Sequence, residues 1–211
     1  MELKNKKINF LGDSITQGVG TTEDKYIYLN VMKNECGLAA ARNYGISGTR
    51  IARQHVENDC CTEPAFCDRY QSMDDDGCHR SIRGTNDHGH GQGRSAPSMI
   101  ERKKPITARG TSRSRSDRKV SRGRHCCHDA LHRCMEEVPS IGNGKPLKVY
   151  IDILKEVCEY YAVPVLDLYA TSGIQPDVPV IKETYMPDGI HPNNAGNRLI
   201  ASRLMGFLKA L

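Results

Sequence analysis

Between Gly77 and Ala130, five of 54 residues are large and apolar (Ile82, Met99, Ile100, Ile106 and Val120), and none is aromatic. A parallel sheet covered on both faces needs near-continuous apolar strands. This segment is therefore expected to supply no central strand, and it constrains the fold more than any other stretch. It holds thirteen Lys or Arg against four Asp or Glu, a net +9 within a chain whose formal charge is +5, so the remainder is acidic at −4. Low hydrophobicity with high charge is the composition of disorder.

The two ends are regular. KKINFLGDS places Ile8, Phe10 and Leu11 in a short strand that runs into Gly12. YIYLNVMKNECGLAA, Tyr26 to Ala40, then repeats apolar residues at helical spacing, with Gly37 suited to end the helix. ARNYGISG reads as a second strand. Strand, helix, strand is the unit of a parallel sheet. At the far end Leu147, Tyr150, Ile151, Leu154, Val157, Cys158 and Tyr161 form an amphipathic helix. VPVLDL, Val163 to Leu168, is a buried strand, and Ile200, Leu204, Phe207, Leu208 and Leu211 form a last apolar stripe. Alternating strands and helices predict an α/β fold, and 211 residues suit one domain, 1–211.

The N-terminal apolar run is too short for a signal peptide, and no run of membrane-spanning length exists. Nine cysteines, an odd count, then suit a reducing, cytoplasmic setting with free thiols. Zinc is the temptation in HCCHDALHRC, His125 to Cys134, and in HGH, His88 to His90. Adjacent Cys126 and Cys127 cannot easily reach one tetrahedral ion, and no second C-x-x-C pair accompanies them. No metal site is expected.

Four short pieces carry chemistry: GDSITQG (Gly12 to Gly18), NYGISG (Asn43 to Gly48), GTND (Gly84 to Asp87) and DGIHPN (Asp188 to Asn193). Ser14 stands where a strand ends and a helix opens, the edge at which open α/β sheets bind ligands. A hydroxyl there is a nucleophile once a base reaches it. His191 is the candidate base, and Asp188, three residues earlier, can fold back to fix its tautomer. The order Ser, Asp, His is shared with α/β-hydrolases, but GDSITQG is not their G-x-S-x-G elbow. Alone, each piece is ordinary turn chemistry, and Asp87 reads as a turn former.

Together and in this order, the four pieces resemble the SGNH hydrolases, the GDSL family of esterases and lipases. The resemblance covers Lys6 to about Asp76 and Leu131 to Leu211, with GTND as an island between. It implies a flavodoxin-like, three-layer α/β/α domain with a central parallel sheet, needing no metal or cofactor. It further implies a serine esterase in which Ser14, Asp188 and His191 are catalytic and an ester acylates Ser14. The oxyanion hole would be the N–H groups of Ser14 and Gly48 and the amide of Asn86, each donor being worth roughly 3 kcal/mol in a transition state. Asp13 and Asn43 would be supporting residues. The resemblance implies a small-molecule carboxylic ester of short-acyl, carbohydrate or lysophospholipid type as substrate, the short acyl group being suggested by the lack of a long apolar lid segment.

The middle segment admits two readings. Its Arg, Ser, His and Cys surplus and sharp boundaries are those of a stretch translated partly out of frame, with GTNDHGHG a short return to frame. Alternatively RSRSDRKVSRGR is a basic arm that binds RNA or another polyanion on an impaired hydrolase scaffold. Without an aromatic residue to stack a base, such an arm offers nucleic acid only phosphate contact.

Overall fold

The run KINFLG forms strand β1 (Lys7–Gly12), buried along its length after Lys7, as a strand covered on both faces must be. The structure is a computed structural model that describes residues 2–49, 79–83, 125–138 and 145–211. After β1 come a four-residue helix α1 (Ser14–Gln17), a 3₁₀ turn (Asp24–Tyr26), helix α2 (Tyr28–Cys36) and strand β2 (Ala40–Gly45). Strands β3 (His79–Arg83) and β4 (His125–His128) follow. The chain then forms helix α3 (Leu147–Tyr160), strand β5 (Val165–Leu166) and helices α4 (Leu168–Thr171), α5 (Pro179–Tyr185) and α6 (Asn194–Ala210).

Among the described residues every strand pair is parallel, in the order β2-β1-β3-β4-β5. Ile8 stands opposite Ala41 of β2 and His79 of β3. The chain leaves β1 for β2 on one side and returns to β3 on the other. In such sheets the crevice for ligands lies at this reversal, outside the carboxyl end of β1.

Two helical layers cover the sheet. Ile8, Phe10 and Cys126 pack in one cluster with Tyr28 and Met32 of α2 and Ile200, Leu204 and Leu208 of α6. Cys127 packs with Leu154 and Cys158 of α3. Consecutive strand residues point to opposite faces, so this pair alone marks the α/β/α layering.

The expectation that 77–130 supplies no central strand is corrected: its two ends form β3 and β4, the third and fourth strands of the sheet. Strand pairing is made by backbone groups, and Cys126 and Cys127, 5% and 4% exposed, bury as small hydrophobes. Counting only large aliphatic and aromatic residues missed them. The same alternation puts the two thiols on opposite faces, where they cannot share one ion. Among the described residues, no three His, Cys, Asp or Glu side chains are grouped to hold a metal. Cys36, Cys126, Cys127, Cys134 and Cys158 are free thiols. No described helix is long and apolar enough to cross a membrane. Asn86 and Asp87 of GTND, His88 to His90 and the basic run lie outside the described residues.

Candidate active site

Immediately after β1, Asp13 caps α1: its Oδ1 accepts a hydrogen bond from the Ile15 N–H at 3.0 Å. Such a cap stabilises by about 1 kcal/mol. Ser14 therefore opens a helix at the carboxyl edge of the sheet, 4% exposed. Gly18 ends the helix at φ 112, a backbone that only glycine takes readily.

The short helix is pressed onto β2. A Cβ on Gly45 would stand 2.2 Å from the Gln17 nitrogen and 2.6 Å from the Thr16 carbonyl carbon. Asn43, expected as a supporting residue, accepts from the Gly45 N–H at 2.8 Å and so fixes this strand end. Beyond it, Thr49 N–H donates to Ile46 O at 3.3 Å, closing a turn with Gly48 at φ 76. Glycine is the residue such a third turn position takes. The Gln17 side chain accepts from the Ser47 N–H at 2.6 Å, tying this turn to the helix that carries Ser14.

From the far end of the chain, DGIHPN folds back on itself. Asp188 Oδ1 accepts from the N–H groups of Ile190, at 2.8 Å, and His191, at 2.7 Å. Its Oδ2 lies 2.7 Å from His191 Nδ1, and His191 Nε2 lies 3.0 Å from Ser14 Oγ. Burial pushes the Asp188 carboxyl up, but the two N–H groups and the imidazole outweigh it, and its pKa lies below the ordinary carboxylate value. An ionised Asp188 selects the tautomer with hydrogen on Nδ1, leaving Nε2 free to accept from Ser14. This arrangement can take a proton from Ser14 Oγ and return it to a leaving group.

Residues that sequence reasoning did not single out hold the two ends together. Asn194 accepts from the Thr22 N–H at 3.0 Å and donates to the Thr22 hydroxyl at 2.9 Å. Asn197 accepts from the Tyr28 N–H at 3.1 Å and donates to Pro192 O at 2.8 Å. A Cβ on Gly20 would meet Pro192 O at 2.7 Å and His191 Cβ at 3.0 Å. Asn197 could have been found from its pattern: it is a polar residue three before Ile200 and seven before Leu204, on the buried stripe of α6. The other contacts lie in loops and at the first residue of α6, and carry no period.

Residues 10–199 match the GDSL-like lipase/acylhydrolase family. No curated protein matches the chain in sequence. Among solved structures the fold is similar to a protein from Lactobacillus plantarum, at 24% identity and TM-score 0.71, covering 98% of each chain. It is also similar to a member of the lipolytic protein G-D-S-L family from Veillonella parvula, at 18% identity and TM-score 0.62, covering 98% of this chain and 100% of that one. A carbohydrate acetylesterase family member from Sinorhizobium meliloti matches at 13% identity and TM-score 0.60, covering 97% of this chain and 98% of the other.

Proposed function

The chain belongs to the GDSL-like lipase/acylhydrolase family, and from that premise we propose that its 211 residues form one serine esterase domain acting through an acyl-enzyme on Ser14. The observation that carries the reading is the series Ser14 Oγ to His191 Nε2 to His191 Nδ1 to Asp188 Oδ2, at 3.0 and 2.7 Å.

Ser14 Oγ attacks the ester carbonyl carbon while His191 Nε2 takes its proton. The oxyanion that forms is met by the N–H groups of Ser14 and Gly48 and by the Asn86 amide. Asn86 lies three residues beyond the end of β3 in sequence, outside the described residues. Collapse expels the alcohol, which leaves with the proton held by His191. Water then attacks the acyl-enzyme with His191 again as base, releasing the acid and restoring Ser14.

The proposed substrate is a small carboxylic ester with a short acyl group. Carbohydrate acetyl esters are the first class to test, because one structural neighbour is a carbohydrate acetylesterase family member; lysophospholipids are the second. Hydrolysis of p-nitrophenyl acetate, acetylated oligosaccharides and lysophosphatidylcholine by wild type and Ser14→Ala tests the reading. Wild type is expected to cleave at least one, and the variant to lose about 10⁴-fold or more in kcat. Equal rates for the two proteins would end the proposal.

A further inference from the structure

Glu136 is 5% exposed and lies outside the series that joins Ser14 to Asp188. Its carboxylate gathers a turn around itself. Oε1 lies 2.8 Å from His132 Nδ1 and accepts from the Tyr169 hydroxyl at 2.9 Å, while Oε2 accepts from the Arg133 N–H at 3.3 Å. The rings of His132 and Tyr169 stack with centroids 3.7 Å apart. Tyr169 is in turn anchored through its N–H, which donates to the buried Asp129 at 3.0 Å.

Within the turn wrapped by this carboxylate stands Cys134, whose N–H donates to Gly189 O at 2.8 Å. A Cβ on Gly189 would come 2.5 Å from Cys134 Sγ, so the thiol occupies the space that glycine leaves open. Gly189 adjoins Asp188, lies two residues before His191, and holds φ 78. The next residue of the turn, Met135, is 70% exposed and holds φ 59. A non-glycine residue keeps such a backbone only where its surroundings over-determine it, and such residues cluster at functional sites. A buried carboxylate is also a poor device for stability alone, because desolvation offsets much of what its partners return.

We propose that Glu136 is a positioning residue for the Asp188–His191 loop, acting through the Cys134–Gly189 contact to hold the imidazole against Ser14. The proposal rests on the esterase reading above. Misplacing reacting groups by about 1 Å can lower a rate about a hundredfold. Loss of the hub is therefore expected to change the rate at each intact site rather than the number of sites or the affinity for ester.

The test measures kcat and KM for p-nitrophenyl acetate and counts competent Ser14 by saturating fluorophosphonate labelling. It compares wild type, Glu136→Ala, Glu136→Gln and Tyr169→Phe, with the exposed neighbour Glu137→Ala as control. Glu136→Ala is expected to lower kcat per labelled site about tenfold to a hundredfold, with KM within about twofold and the labelling rate falling in parallel. Glu136→Gln, which keeps one acceptor oxygen, should recover part of the loss. Tyr169→Phe removes one hydrogen bond and keeps the ring stack, so it reports the same effect, smaller, should the alanine variant fail to fold. Wild-type kcat per labelled site in Glu136→Ala, or in Tyr169→Phe where only that variant folds, would overturn the proposal. A wild-type protein that neither turns over ester nor labels at Ser14 would instead overturn the esterase reading, and this one with it.

Discussion

His191 Nε2 stands 3.0 Å from Ser14 Oγ although 177 residues of sequence separate them. The approach is built by backbone and amide contacts: Asn194 and Asn197 at the start of α6 hold the segment that follows Ser14, and Asp188 folds the histidine back toward it. Groups that act as one unit lose their effect together. Ser14→Ala, His191→Ala and the double variant are therefore expected to show similar residual kcat on an ester that wild type cleaves. Additive losses in the double variant would show that the two residues act independently.

Gly45 is where the position of Ser14 is most exposed to a single methyl group. The Cβ of an alanine would fall 2.2 Å from the backbone nitrogen of Gln17, which has no flexible end to move. Gly45→Ala should cost about 1–3 kcal/mol in stability through overpacking, and kcat/KM should drop about tenfold or more as α1 is pushed off β2. Gly206 is the control: it lies in α6 with nothing within 4 Å of a Cβ, and Gly206→Ala should stabilise by about 0.5–1 kcal/mol. Urea melts and ester assays on the two variants check both.

Ala162 sits at φ 52 just beyond α3. Val163 N–H donates to Cys158 O at 2.8 Å and Ala162 N–H to Glu159 O at 3.0 Å, the paired bonds of a helix end that usually takes glycine at this position. Relief of the left-handed backbone outweighs the added freedom of glycine in the unfolded chain. Ala162→Gly is expected to stabilise by about 0.5–1 kcal/mol, raising Tm by about 2 °C. A lower Tm would contradict the reading of this helix end.

How much of this was legible beforehand differs from residue to residue. Ser14, Asp188 and His191 sit in short motifs whose local turns are set by neighbouring residues, and four such motifs in one order, with the family they resemble, suggested that the three could meet. β1, α2, α3 and α6 announced themselves by apolar period; β4 did not, since HCCH contains no aliphatic, Phe, Tyr or Trp side chain. Glu136 was invisible as part of a site and Cys134 drew notice only as a rejected zinc ligand, because their roles arise from contacts with Tyr169 and Gly189, 33 and 55 positions away. VPVLDL promised a strand of six residues, yet pairing stops at Leu166. Asp167 caps a helix there, accepting from the Ala170 N–H at 2.8 Å.

Asp129 gives stability a pH dependence. Its side chain is fully buried. Burial and the Asp167 carboxylate push its pKa from 3.8 up to about 6, against the Tyr169 N–H and Lys155, whose Nζ lies 3.2 Å away. A carboxyl whose folded pKa is raised binds its proton more tightly in the folded state. Its contribution is thus present below the unfolded value and lost as pH rises through about 6. The stability of wild type relative to Asp129→Asn should therefore grow by on the order of 2 kcal/mol between about pH 7 and pH 4. Urea unfolding across that range checks it, and a difference that stays flat or grows with rising pH would contradict it.

The most direct measurement is fluorophosphonate labelling of the folded chain, with the adduct located by peptide mass spectrometry and with Ser14→Ala and His191→Ala beside wild type. The account predicts an adduct confined to Ser14, absent in Ser14→Ala and formed far more slowly in His191→Ala. A folded wild type that takes no label at Ser14, or labels as fast without His191, would contradict it.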